Sequence, residues 1–348
     1  MPQVDSEGEI TQPVSRSPTR IWLRRAFALV LLGLLLYFFW PLLGEIKAAA
    51  NLLRTADWIW LLVAILIQVI SYSFLTWMNA LALQPFSGKI GFIPLAGVLT
   101  SMAFISVAIP SAGISGIALR VHLLRKYEYL PEESLFSLVV ETTLELIALV
   151  SVALIGVIYL IQSGGLTFYN VLLLALIGVI AIALLWLTWH ILSDYDRSRR
   201  TLKIIVKFWN RYAERIKKLD LADMDDRLSF FNQNIQRYPR SSYWKFPLSA
   251  YGKVILDVVT LGVCFKLFGY NISPDTLLIG YGLILTLSGV SALPGGLVMT
   301  EALAPVIFSR LGVPGAIALV AGLTYRLIAF WLVRFVGYFS WLILEKKE

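Results

Sequence analysis

The chain has 348 residues; 58% are hydrophobic, only 15% are charged, and the formal net charge is +8. That composition excludes the ordinary soluble globular class and points to a helical protein crossing the membrane several times. A single cysteine, Cys264, excludes an internal disulfide and any multi-cysteine metal site. The positive balance reads as basic loops beside anionic lipid rather than as a nucleic-acid surface, because the basic residues lie between apolar runs.

Residues 1–19 are polar, hold three prolines and show no apolar period, which predicts a disordered N-terminus. Arg16, Arg20, Arg24 and Arg25 precede an apolar run at 26–43. The run is long for a signal peptide and no small-residue cleavage site follows it, so it reads as a first span. A second span is expected at 58–83, with Gln68 near its middle. The segment 90–119 contains a break, followed by the basic cluster Arg120, His122, Arg125 and Lys126. Glu132 and Glu133 start the next helix, apolar to 161 apart from Glu141 and Glu145. An uncharged loop at 162–170 leads to a span at 171–192.

The one long polar segment, 194–245, carries thirteen Lys or Arg and seven Asp or Glu. Leu202, Ile205, Val206, Trp209, Tyr212, Ile216 and Leu219 recur at helical spacing within it, the pattern of an interfacial amphipathic helix or of a site for a partner protein. Spans follow at 246–268 and 315–344, and between them lies a second break.

The second break reads Pro294-Gly295-Gly296, with Glu301 shortly after it. Pro294 removes a backbone donor and the glycines loosen the helix. Broken backbone at membrane depth is tolerated only where protein or a water-filled cavity surrounds it. An earlier stretch echoes it, with Pro110, Gly113, Gly116 and then Ala118-Leu119. Pro110 to Pro294 is an offset of 184, as is Ala118 to Ala302. Downstream, Glu145 aligns with Arg326 at an offset of 181. Such a repeat points to a two-fold, transporter-like architecture.

Loop charge gives the topology. The clusters at 16–25 and 120–126, the loop 194–245 and Lys346-Lys347 are expected in the cytoplasm, with both termini inside a cell membrane. The segment 90–119 is then flanked by cytoplasm on both sides. At 30 residues it is too short for two full crossings of about 20 each. It is expected to be a re-entrant hairpin, and 276–310 a second one entering from outside. The expected fold is therefore all-α, with about six spans and two opposed hairpins; eight full spans, with a hairpin pair crossing completely, is the alternative. Residues 20–344 form one transmembrane domain, with repeat one at about 90–161 and repeat two at about 276–343.

At 1.5 Å per residue, Glu145, Arg326 and Asp257 each reach roughly 16–18 Å into a hydrocarbon core about 30 Å thick. An intramembrane charge facing lipid alone costs roughly 2.5–3.5 kcal/mol, so these should face inward and pair. Arg326 is expected to meet Glu145, Asp257 or Glu301. Glu141 and Glu145 share a helix face, where two carboxylates in one dry site would make a proton carrier. Lys253 and Asp257 are a local i,i+4 pair. Arg334 reads as a residue snorkelling to headgroups, and Arg120 either as a lipid-phosphate ligand or as an ordinary cytoplasmic basic residue. No phosphate-binding glycine loop, nucleophile elbow or metal-ligand histidine pair is present, so the expectation is a non-enzyme without metal or cofactor.

These residues resemble the membrane region of the lysylphosphatidylglycerol synthase/flippase family, including its stand-alone members. The resemblance rests on Leu293-Pro294-Gly295-Gly296-Leu297 with Glu301, on Tyr325-Arg326-Leu327, and on the break at 110–116 followed by Arg120 and Leu123-Leu124-Arg125. It runs from about residue 20 to the end. Where family members commonly place an acidic–Arg pair, this chain reads Glu141-Thr142. Two-domain members make an aminoacylated phospholipid and move it between leaflets. The sequence ends five residues past Ile343, so the resemblance implies lipid translocation without synthesis, with membrane lipids as the partner. An accessory subunit holding a glycosyl- or aminoacyl-transferase at the membrane, and a proton-coupled porter, are the other readings. No nucleic-acid partner is expected, and oligomeric state is open.

Overall fold

Every regular element in the computed structural model is helical among the described residues, which are 51–109, 111, 113–162, 229–230, 233–235, 237–239, 242–289 and 299–346. All fall in one unit, Ala48–Glu348. The apolar runs at 26–43 and 171–192, the polar N-terminus and the amphipathic stretch near 200–220 lie outside them. So do Pro110 and the Pro294-Gly295-Gly296 break.

The helices are α1 (Ile59–Leu83), α2 (Phe92–Ala108), α3 (Ile114–Arg125), α4 (Pro131–Gln162), α5 (Lys245–Leu267), α6 (Pro274–Gly289), α7 (Met299–Arg310), α8 (Gly315–Arg326) and α9 (Val333–Glu345). A π-helical segment, Leu327–Leu332, joins α8 to α9. Four helical stretches among the described residues are long and apolar enough to cross a membrane: Ile59–Leu83, Pro131–Val152, Lys245–Leu267 and Gly315–Glu345. They coincide with four of the expected spans, and the multi-pass all-helical expectation is borne out.

α1 shows the patterning that lipid imposes. Leu62, Leu66, Val69 and Ile70 point outward, while Gln68, Ser71 and Asn79 are buried. Apolar residues face the acyl chains and polar ones face protein, because an unsatisfied polar group in hydrocarbon is costly. At the head of α4, Pro131 occupies the first helical position, and Glu133 accepts a 2.9 Å hydrogen bond from the Leu130 backbone N–H. This is the returning arm of a capping box, and it fixes where the helix begins.

The two halves are built alike. α2 and α6 have 17 and 16 residues, α3 and α7 have 12 each, and α4 and Gly315–Glu345 have 32 and 31. Their packing is reciprocal: α2 packs on α9, α6 packs on α4, and α1 packs on α5. Aligning Ile59 with Lys245 places Ser71 on Asp257, and these two side chains touch at 2.6 Å. Equivalent residues meet in this way where they straddle a two-fold axis.

Contacts between chain-distant residues show which ends coincide. The Lys89 N–H donates to the Tyr127 carbonyl at 3.2 Å, so the α2–α3 pair begins and ends at the same level. Lys126 Nζ donates to the Glu345 carbonyl at 3.0 Å, and the Tyr238 hydroxyl donates to the Ala82 carbonyl at 2.6 Å. That groups the C-terminus and residue 238 at this end. At the other end the Asp57 N–H donates to the Leu267 carbonyl at 3.0 Å, and Phe308 of α7 packs on Phe265 at a ring distance of 4.9 Å. α7 thus returns to the end where α6 starts. At 12 residues, α3 reaches only about 18 Å and falls short of a core of about 30 Å, and the described part of α7 has the same length. One helical pair opens toward one end and the other toward the opposite end, which is the inverted arrangement expected from loop charge.

Small residues allow the close crossings. Ser101 Oγ donates to the Gly337 carbonyl at 3.3 Å, and a Cβ on Gly337 would strike the Thr100 carbonyl. Without water between helices, this kind of backbone approach is a main source of association.

Candidate functional site

The first break explains how α3 is placed. Gly113 caps α3 in the left-handed region, at φ 87° and ψ −9°, a conformation that L side chains avoid. The Ser115 N–H donates to Ser111 Oγ at 2.9 Å, and Ser115 Oγ donates to the Ile105 carbonyl at 3.1 Å. The Ser111 hydroxyl thereby satisfies a backbone N–H at the start of α3 that the interrupted helix frees. A Cβ on Gly116 would collide with Ser106 Oγ and the Met102 carbonyl, so α3 lies directly against α2.

This seating buries Arg120, which is 1% exposed. Its guanidinium donates to Glu141 Oε2 at 2.6 Å, to Ser137 Oγ at 2.7 Å and to Asn79 Oδ1. Arg120 thus joins α3 to α4 and α1 through charge-assisted bonds, and Glu141 gains a cation from 21 residues upstream. Sequence position had left open a cytoplasmic placement for Arg120, but it lies inside the protein.

Four residues further along α4, Glu145 Oε1 lies 3.2 Å from Lys253 Nζ of α5. The same ammonium lies 3.2 Å from Asp257 Oδ2. Asp257 Oδ1 in turn accepts from Ser71 Oγ at 2.6 Å and from Gln68 Nε2 at 3.3 Å. Lys253 therefore bridges the two carboxylates, a role larger than the local pairing with Asp257 read from spacing. Glu141 and Glu145 line the same cavity, with Arg120 beside the first and Lys253 beside the second.

Across from this triad, Arg326 stacks over the Phe330 ring with its guanidinium carbon 3.6 Å from the ring centroid. Arg334 lies over the same ring at 3.1 Å and donates to the Phe330 carbonyl at 2.9 Å. Glu145 and Asp257 each form an ion pair with Lys253. Glu301 falls on α7, and its side chain lies outside the described residues.

These groups surround one cavity of about 320 Å³. α1 contributes Gln68 and Tyr72, α4 contributes Glu141 and Glu145, and α5 contributes Lys253 and Asp257. The second half closes it with Tyr281, Tyr325 and Arg326, and with Phe330 and Arg334 at the π segment. The structure gathers Glu141, Glu145, Asp257 and Arg326 here, while Arg120 sits behind Glu141. A π segment widens the helix by a residue per turn and is frequent at functional sites. Nothing in Leu327–Leu332 distinguishes it in sequence from ordinary helix. Lys253 and Arg334 are the cavity residues undervalued from sequence; a lysine within an apolar span was the available signal.

Two apolar grooves adjoin the cavity. The larger, about 840 Å³, is walled by α1, α2, the π segment and α9, and shares Arg334 with the cavity. The smaller, about 220 Å³, shares Gln68 and Tyr72. Among the described residues no cluster of three or more His, Cys, Asp or Glu could hold a metal ion.

Like halves of membrane-spanning helices folded around a charged cavity define a polytopic membrane protein of the inverted-repeat kind. Residues 22–337 match the family described as the lysylphosphatidylglycerol synthase TM region, and the chain belongs to that family. It is 26% identical over 299 residues to a UPF0104 membrane protein of Methanothermobacter thermautotrophicus, an alignment covering 84% of this chain and 87% of the relative. It is 24% identical over 249 residues to a UPF0104 membrane protein of Methanocaldococcus jannaschii, covering 70% and 72%.

Proposed function

We propose that this protein is a lipid translocase, moving the headgroup of a phospholipid or lipid-linked substrate between leaflets through the charged cavity while acyl chains stay in hydrocarbon. One observation carries the reading: the charged cavity shares lining residues with two apolar grooves, Arg334 with one and Gln68 with Tyr72 with the other. A polar solute needs a wet path with polar walls. A lipid needs a polar site that opens sideways onto apolar surface, and that is the juxtaposition seen here.

Crossing the core strips a headgroup of water, and fixed side-chain charges replace that hydration. The cavity offers acceptors at Glu141, Glu145 and Asp257 and donors at Lys253, Arg326 and Arg334. The hairpins entering from opposite ends supply elements that can open the site to each leaflet in turn. Loop charge sets the orientation in this reading, with both termini cytoplasmic in the cell membrane.

The test is reconstitution into liposomes with a panel of labelled lipids. The parent protein should accelerate transbilayer movement of at least one lipid, and Arg326→Ala and Glu301→Ala should slow it. If no lipid in the panel moves faster than in protein-free vesicles, the reading is wrong.

A further inference from the structure

Arg334 sits where the charged cavity meets the larger apolar groove and lines both. Its guanidinium carries five N–H donors. One donates to the Phe330 carbonyl, and the buried Nε has no partner. Among the described residues no carboxylate forms an ion pair with Arg334, whereas Arg120 pairs with Glu141 and Lys253 with both Glu145 and Asp257. A second cation, Arg326, stacks on the same Phe330 ring. A desolvated guanidinium without a counter-ion is unfavourable, and an anion relieves that cost.

We infer that Arg334 is the phosphate-binding residue of a phospholipid site at this junction, with the lipid phosphate on the guanidinium and an acyl chain in the adjoining groove. The inference rests on the lipid reading above. Chemistry selects phosphate: a planar fork of donors fits its oxygens two at a time. The groove selects a lipid over a free ion, because Leu61, Ile65, Phe104, Val107, Trp331 and Phe335 run away from Arg334 and offer almost no polar surface. The larger headgroup, beyond the phosphate, then projects toward Lys253, Glu145 and Asp257.

The experiment measures binding of fluorescent phosphatidic acid and of diacylglycerol with the same chains to the purified full-length protein in detergent. The two probes differ only by the phosphate. Losing charge-assisted bonds to an ion is worth about tenfold to a hundredfold in affinity. R334Q should therefore weaken phosphatidic acid by that factor and leave diacylglycerol unchanged, with R334K intermediate. On the parent, unlabelled phosphatidic acid should displace the probe, and glycerol phosphate or inorganic phosphate at equal concentration should not.

Equal loss of both probes in R334Q, or no loss of either, overturns the site. So does a parent that binds diacylglycerol as tightly as phosphatidic acid, a result that needs no variant to fold. Displacement by inorganic phosphate alone overturns the lipid assignment. Selective loss in R334Q without transbilayer movement by the parent would keep the site and remove the translocase reading. Transport that R334Q leaves intact, with unchanged phosphatidic acid binding, would do the reverse.

Discussion

Replacing Lys253 with methionine keeps the volume of the side chain and removes the charge between Glu145 and Asp257. The two carboxylates do not suffer equally. Asp257 is 8% exposed and Glu145 28%, so water screens the second far better. Removing one partner of a buried ion pair typically costs about 3–5 kcal/mol. Asp257 keeps its hydrogen bonds from Ser71 and Gln68, which hold the carboxylate in part. That puts its share near the low end, about 3 kcal/mol, and the Glu145 share at about 1 kcal/mol or less. Unfolding of the purified protein in detergent, followed by circular dichroism, should show a clear destabilisation in Lys253→Met. Adding Asp257→Asn should recover most of it, and adding Glu145→Gln only a little. Equal rescue by the two, or an undisturbed Lys253→Met, would refute the assignment of the bridge to the buried Asp257 arm.

Arg120→Gln should destabilise by about 3–5 kcal/mol in the same assay, because Glu141 loses its cation in a buried setting; the double variant with Glu141→Gln should lose distinctly less. Gly113→Ala should cost about 1–2 kcal/mol, the penalty of a left-handed backbone for an L side chain, read as a lower unfolding midpoint. Gly116→Val should be worse than Gly113→Ala, since its added Cβ meets the Met102 carbonyl whereas the space around Gly113 is open. A milder effect at 116 than at 113 would contradict the tight α2–α3 crossing.

Much of the architecture was legible because lipid imposes simple rules. The expected span at 58–83 matches Ile59–Leu83, and 246–268 matches Lys245–Leu267, since continuous apolar runs leave little choice. The hairpin at 90–119 followed from counting crossings, and the Lys89–Tyr127 hydrogen bond shows its two ends together. What the sequence hid were partnerships across long separations. Arg120 looked like a ligand for a lipid phosphate or like one more basic loop residue, yet it bonds to Asn79, 41 positions away, because α3 is short and packed on α2 and α4. Lys253 looked like the local partner of Asp257, and only the packing of α5 on α4 adds Glu145. Arg334 looked like a snorkelling residue; the π segment before it helps bring it onto the cavity wall, and no residue type announces that segment. The Pro294-Gly295-Gly296 break and the amphipathic stretch near 200–220 lie outside the described residues.

The most direct measurement compares, in the same proteoliposomes, a labelled phospholipid with its deacylated, water-soluble headgroup. A polar cavity that opens onto apolar grooves predicts that the acylated lipid changes leaflet faster than in protein-free vesicles while the soluble headgroup is not taken up. Uptake of the soluble headgroup, with the phospholipid left in its original leaflet, would contradict it.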